Sequence, residues 1–179
     1  MNGPPLLVLV LAGAFLLLVS SLLIGSFTKP DFPPYALGPT ADTLYTLDAS
    51  SGDRWQRFHF ARNAVVHAGP WDIAFRRNRV ITAPGVGAAD LGLVGLDSTG
   101  PLPAQGYSQT AFTGDTTNPA IGKWYEYSML SHLLTSKHHV YGVRTVDGDL
   151  VRFEILAYYC REVGAACYTL RYKTARPRG

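Results

Sequence analysis

From Leu6 to Ile24 the sequence reads LLVLVLAGAFLLLVSSLLI, a run with no ionisable side chain in which Ser20 and Ser21 are the only polar residues. As a helix rising about 1.5 Å per residue, this run covers roughly the hydrocarbon thickness of a bilayer. A cleaved secretory signal is the main rival, and it calls for a basic leader, a shorter apolar core and a small-x-small cleavage site. No Lys or Arg precedes Lys29, and Leu23-Ile24-Gly25-Ser26 has no strong cleavage signature, so an uncleaved anchor is preferred. Leu22-Leu23-Ile24-Gly25 also reads like the approach to an acylated Cys, but the next residue is Ser26, which has no thiol to acylate. The expected layout begins with a short N-terminal segment at 1–5 and a transmembrane anchor helix at 6–25, whose first partner is the lipid bilayer. Lys29 is the only basic residue close to either end of the span, so flanking charge does not orient it.

Downstream, Pro30, Pro33, Pro34 and Pro39 fix φ and remove backbone donors, which predicts a stiff, extended spacer over 26–40. From Ala41 onward, short runs of β-forming residues alternate with Gly, Pro, Asn and Asp, and no helical stripe of useful length follows. The reading is all-β: a single antiparallel β domain at 41–173, preceded by the one transmembrane α-helix and followed by a basic tail at 174–179. With 47% hydrophobic and 16% charged residues among 179, the chain is too apolar for disorder and has room for one ordinary domain. The net charge of +3 is small, and the basic residues are scattered apart from Arg76, Arg77, Arg79 and the tail Lys173, Arg176, Arg178. No nucleic-acid partner is expected.

The clearest strand pair is Val140 to Thr145 followed by Asp149 to Tyr159. A three-residue loop Val146-Asp147-Gly148, with Gly148 left-handed, sets Val143 opposite Val151 and Tyr141 opposite Phe153. A two-residue loop would set Val143 against Arg152, so period-two alternation selects the first register. The predicted inward face is Tyr141, Val143, Val151, Phe153, Ile155, Ala157 and Tyr159. The same parity turns Cys160 outward. If Tyr168, Leu170 and Tyr172 point inward, Cys167 also turns outward, across a loop from Arg161 to Ala166. Neighbouring antiparallel strands bring Cα atoms to about 4.5–5.5 Å, within disulfide range. A Cys160–Cys167 disulfide is expected over two free thiols or a metal pair, and it places the domain in an oxidising compartment. The chain is then single-pass, with its N-terminus cytoplasmic and its domain periplasmic or otherwise extracytoplasmic.

Trp71-Asp72-Ile73-Ala74-Phe75-Arg76, Gly122-Lys123-Trp124-Tyr125, Val140-Tyr141-Gly142-Val143-Arg144-Thr145 with Asp147-Gly148, and the closing Tyr158-Tyr159 and Leu170-Arg171-Tyr172 together resemble the HmuY-like family. The likeness runs in order from about Tyr45 to Tyr172. It implies an all-β fold on the outside of a bacterial membrane, commonly lipid-anchored, whose best-known members capture haem between two histidines on adjacent loops. Two departures matter. Ser26 stands at the position of a lipidated Cys, and no His or Met lies between Val80 and Tyr127. His132, in Ser131-His132-Leu133, is the position matched to a ligand-bearing loop, and its expected upstream partner is missing.

Haem iron takes a strong axial ligand such as His, Met, Cys or Tyr in an apolar slot. His132 is the candidate, with His138 or His139 as an unorthodox second, while the plainer reading leaves all three as polar loop residues. Alternation puts Phe58 and Phe60 on one face and His59 on the other, which predicts a solvated His59. The spacing of the five histidines demonstrates no zinc site. No nucleophile elbow, metalloprotease helix, P-loop or dinucleotide fingerprint is present, so no enzyme is expected and no catalytic residue is assigned. Asp72 is read as a structural carboxylate pairing with a nearby Arg or backbone donor. The Trp and Tyr residues are expected mostly in the core, with Trp55 or Tyr107 as interface candidates.

The preferred functional expectation is a non-catalytic accessory subunit without a cofactor, docked through its helix and its β domain on a larger bacterial membrane complex such as a photosynthetic reaction-centre assembly. The alternative is a haem or tetrapyrrole carrier using His132.

Overall fold

The computed structural model describes residues 5–27, 36–41, 43–98, 100–113, 116–161 and 164–175. Most of the expected Pro-rich spacer and the basic Arg176 and Arg178 lie outside these residues. The helix α1 (Leu6–Phe27) opens behind Pro5, whose carbonyl accepts the Val8 N–H at 2.8 Å. A proline there costs nothing, because the first turn has no use for its missing N–H. No part of the Leu6–Ile24 span is buried. The chain divides into a smaller unit, holding α1 and the hairpin tip Tyr127–Leu134, and a larger unit holding the other strands.

The strands are β1 (Gly38–Ala41), β2 (Leu44–Asp48), β3 (Gln56–His59), β4 (Ala64–Val66), β5 (Ile73–Arg76), β6 (Arg79–Thr82), β7 (Gly87–Asp90), β8 (Tyr125–Tyr127), β9 (Leu134–Ser136), β10 (Val140–Arg144), β11 (Leu150–Tyr159) and β12 (Ala165–Ala175). Six form a sheet in the order β1-β2-β12-β11-β10-β7, four form a second in the order β4-β3-β5-β6, and β8 and β9 make a separate ribbon. All the pairings within the two larger sheets are antiparallel.

Aromatic side chains from both larger sheets meet in the core. Phe58 packs edge-on against Tyr45 at 4.9 Å and Tyr172 at 5.9 Å, while Phe60 meets Phe153 at 5.6 Å and Phe75 meets Tyr168 at 4.6 Å with tilted rings. Phe58, Phe75, Phe153 and Tyr168 are fully buried. Burial of each such ring contributes roughly 1.5–3 kcal/mol, and edge-to-face contact adds somewhat more. Trp124 is equally buried, and its indole N–H donates to the Asn78 carbonyl at 3.0 Å.

The β10–β11 hairpin has the predicted register, with Val143 opposite Val151 and Tyr141 opposite Phe153. Gly148 takes φ +88°, a conformation open to glycine at no steric cost. The parity argument fails further on. The β11–β12 register slips between Ile155 and Ala157 and again between Ala157 and Tyr159. Each bulge rotates the residues beyond it, so a strict period of two does not survive. Tyr158 therefore enters the core, 5.2 Å from both Trp124 and Tyr168, and Tyr159 is only partly buried. Cys160 and Cys167 still meet, in a disulfide with a Cα separation of 4.8 Å, although Cys167 is buried rather than turned to solvent.

His59 also departs from its expected place. Alternation does put it on the face opposite Phe58, but the β10–β11 turn covers that face at His59, which is 2% exposed. Its ring lies 3.5 Å from Asp72 on one side and 3.5 Å from Asp147 of the β10–β11 turn on the other. Asp72, itself fully buried, accepts the Phe60 N–H and the Val146 N–H, each at 2.8 Å.

Tyr107 is half-buried and packed against its neighbours. Its Cβ stands where a Cβ on Gly87 would come within 2.7 Å of it, and Arg144 lies over the ring at 5.1 Å. The segment leading to it is tied down by Lys173 to Asp97, by Arg152 to the Gly100 carbonyl and by Arg144 to the Ala104 carbonyl.

Candidate functional site

The candidate site is the tip between β8 and β9, where the chain reads Tyr127-Ser128-Met129-Leu130-Ser131-His132. Ser128 organises this turn. Its N–H donates to the Leu133 carbonyl at 2.9 Å, its carbonyl accepts the His132 N–H at 2.9 Å, and its hydroxyl accepts the Ser131 N–H at 3.2 Å. A serine hydroxyl that bonds nearby backbone in this way favours turns over regular structure. His132 closes the turn in the left-handed region at φ +55°, a conformation that histidine adopts more readily than branched residues.

That backbone brings the His132 ring back over β8. The Tyr127 hydroxyl and His132 Nδ1 are 2.5 Å apart, with ring centroids separated by 6.0 Å. Met129 is 73% exposed, Leu130 60% and Tyr127 48%. These side chains place a thioether and a leucine beside the imidazole on the surface of the turn. Two proton placements are open to the pair. If Nδ1–H donates to the phenol oxygen, the Nε2 lone pair of His132 is free to bind a metal. If the phenol donates to Nδ1, the tyrosine oxygen keeps its lone pairs and is the candidate ligand instead.

The other histidines have separate roles. His138 Nδ1 lies 3.2 Å from Glu154, which also accepts from Arg171 at 2.7 Å. His139 Nδ1 lies 2.9 Å from Asp90. Each is thus oriented by a carboxylate, but Glu154 is paired in register with Val140 and Asp90 with Tyr141. Successive strand residues face opposite sides of a sheet, so the two carboxylates do not share a face. Among the described residues no group of three or more His, Cys, Asp or Glu is placed to hold a metal ion.

The sequence singles out His132 and gives no ligand role to Tyr127 and Met129, which the turn places beside it. The second ligand is expected upstream of Tyr127 or, less conventionally, at His138 or His139, whereas Tyr127 and Met129 lie within the same turn as His132. The available signal was the density of iron-ligating residue types over those six residues.

No family model and no curated protein matches the sequence. The fold does match solved structures of bacterial proteins, one described as a lipoprotein and another as HmuY-like and haem-binding. A protein assigned as a lipoprotein from Bacteroides fragilis is 17% identical, with a TM-score of 0.63 over 78% of this chain and 97% of that one. More particularly, a protein assigned as HmuY-like and haem-binding from Bacteroides vulgatus is 18% identical, with a TM-score of 0.60 over 72% and 89%. The apo HmuY analogue of Tannerella forsythia is 13% identical, with a TM-score of 0.63 over 75% and 95%. The β domain therefore has an HmuY-like fold, and identities at this level speak for the fold alone. Nothing in these descriptions connects the chain to photosynthesis or to an accessory subunit of a membrane complex.

Proposed function

We propose that the chain is a membrane-anchored, extracytoplasmic carrier of haem or a related tetrapyrrole, which it takes up through Tyr127, Met129 and His132. The observation that carries this reading is the Tyr127–His132 hydrogen bond on an exposed turn that also presents Met129 and Leu130. Phenolate, imidazole and thioether are all axial ligands that haem iron accepts. The tip offers each of them within one turn, together with apolar surface for the macrocycle. The fold shared with a protein described as haem-binding supports the same conclusion. The carrier reading replaces the accessory-subunit expectation, which no observation favours. It also assigns no reaction to the chain.

The anchor is α1, read as a single pass with a cytoplasmic N-terminus. The Cys160–Cys167 disulfide supports an external domain, because such bonds persist in oxidising compartments.

The test is an absorbance titration of the detergent-solubilised full chain with ferric haem, beside Tyr127→Phe, Met129→Ala, His132→Ala and the Tyr127→Phe/His132→Ala double variant. A Soret shift that saturates at a single equivalent and is lost in the double variant is the expected result. The single variants identify the ligand, since imidazole and phenolate leave ferric haem with different visible spectra. A non-saturating response, or one identical in the double variant, would overturn the proposal.

A further inference from the structure

The four-stranded sheet has one face in the core and another that carries arginine and tryptophan. Phe58, Ile73 and Phe75 occupy the first face and are fully buried. Arg57 and Arg76 alternate with them along β3 and β5, and the register pairs Arg57 with Ala74 and Arg76 with Arg79. Each of these two guanidinium groups lies over an indole. Arg57 is 5.6 Å from the Trp71 ring centroid and Arg76 is 4.5 Å from that of Trp55.

Charge is concentrated in this stretch. From Arg54 to Arg79 the sequence holds Arg54, Arg57, Arg62, Arg76, Arg77 and Arg79 against the single carboxylate of Asp72. Asp72 is fully buried and already engaged with the Phe60 and Val146 N–H groups. Neither Arg57 nor Arg76 has an ion-pair partner among the described residues. A stacked guanidinium loses rotamer freedom in advance but keeps its in-plane N–H donors available at the ring edge. That arrangement suits bidentate binding of phosphate oxygens. Tryptophan adds a ring that is apolar on its faces and polar at its N–H, which is the amphipathic character favoured at the headgroup level of a bilayer.

We propose that this arginine–tryptophan face is a docking surface for anionic phospholipid headgroups. Its charge and its indoles match a lipid surface of that kind. The chain's own membrane-length helix makes the bilayer the anionic surface within its reach. The inference rests on that helix being retained in the membrane and is independent of tetrapyrrole binding at the hairpin tip.

The experiment uses the full chain in nanodiscs of phosphatidylcholine alone or mixed with phosphatidylglycerol, each containing a lipid quencher near the headgroup. Tryptophan emission is read for the wild type and for Trp55→Phe and Trp71→Phe. Trp124 is fully buried and supplies an unquenched reference. Quenching about twofold greater in anionic discs, and suppressed by salt as surface charge is screened, is the expected result. Arg57→Gln/Arg76→Gln should abolish the difference between discs, and Arg57→Lys/Arg76→Lys should retain most of it. Near-UV circular dichroism establishes that both variants are folded. Equal quenching in the two discs, or an unchanged difference in the glutamine variant, would overturn the proposal. So would release by inorganic phosphate beyond that given by chloride at equal ionic strength, which would mark a site for a free anion instead.

Discussion

Asp72 accepts the backbone N–H of Val146 at 2.8 Å across the boundary between the two larger sheets. The other carboxylate oxygen accepts the Phe60 N–H at the end of β3, so one buried side chain fastens the β10–β11 turn to the four-stranded sheet. His59, buried beside it, lies between Asp72 and Asp147 of that same turn.

Removal of this carboxylate leaves the buried Phe60 N–H and the part-buried Val146 N–H without their acceptor. Asp72→Ala should therefore destabilise the domain by about 3–5 kcal/mol, since a buried bond to a charged acceptor is worth roughly 1.5–3 kcal/mol. Asp72→Asn keeps one good acceptor and should cost about half as much. Chemical denaturation followed by tyrosine and tryptophan emission measures both. Equal stability of Asp72→Ala and wild type would show that the turn is held by other contacts.

The Cys160–Cys167 bond closes a short loop, with a sequence separation of 7. Loop-closure entropy for a ring of that size predicts a loss of about 2–3 kcal/mol on reduction. Thermal melts with and without reductant should differ accordingly, and Cys160→Ser/Cys167→Ser should match the reduced protein. A melt insensitive to reductant would contradict this.

Alkali should unfold the domain through its core tyrosines. Burial is the main cause that raises Tyr141, Tyr158 and Tyr168 above the usual phenol range, with Tyr158 pushed up to about 12. Below pH 10 both folded and unfolded chains keep these protons, so the contribution of the three phenols is fully present. As pH rises through 10 and towards 12 the unfolded chain releases them first, and stability falls. Tyrosinate absorbance at these positions should rise together with loss of near-UV circular dichroism. Ionisation of every tyrosine near pH 10 in a folded protein would contradict the burial.

Gly87 is a position where any side chain collides with its neighbour, because an added Cβ would stand 2.7 Å from the Tyr107 Cβ. Gly87→Ala should cost about 1–3 kcal/mol, the usual penalty for overpacking. Tyr107→Gly in the same background, which removes the opposing Cβ, should relieve part of that cost. A double-mutant cycle on thermal stability measures the coupling, and strict additivity would show that the loop yields freely.

What the sequence determined by itself was local or periodic. The uncharged run Leu6–Ile24 defines a membrane-length helix because the length of an apolar segment is a property of the chain alone. The β10–β11 register follows from alternation and a glycine turn, and the short reach from Cys160 to Cys167 makes their bond legible in one dimension. Tertiary structure decided the rest. The bulges in β11 exchanged Tyr158 and Tyr159 between core and surface, because a register slip depends on how the partner strand must be met. The β10–β11 turn buried His59, because a strand's second face is solvent only where nothing folds over it. At the tip, His132 was legible as a ligand type, but its pairing with Tyr127 required a left-handed turn that returns the imidazole over the preceding strand.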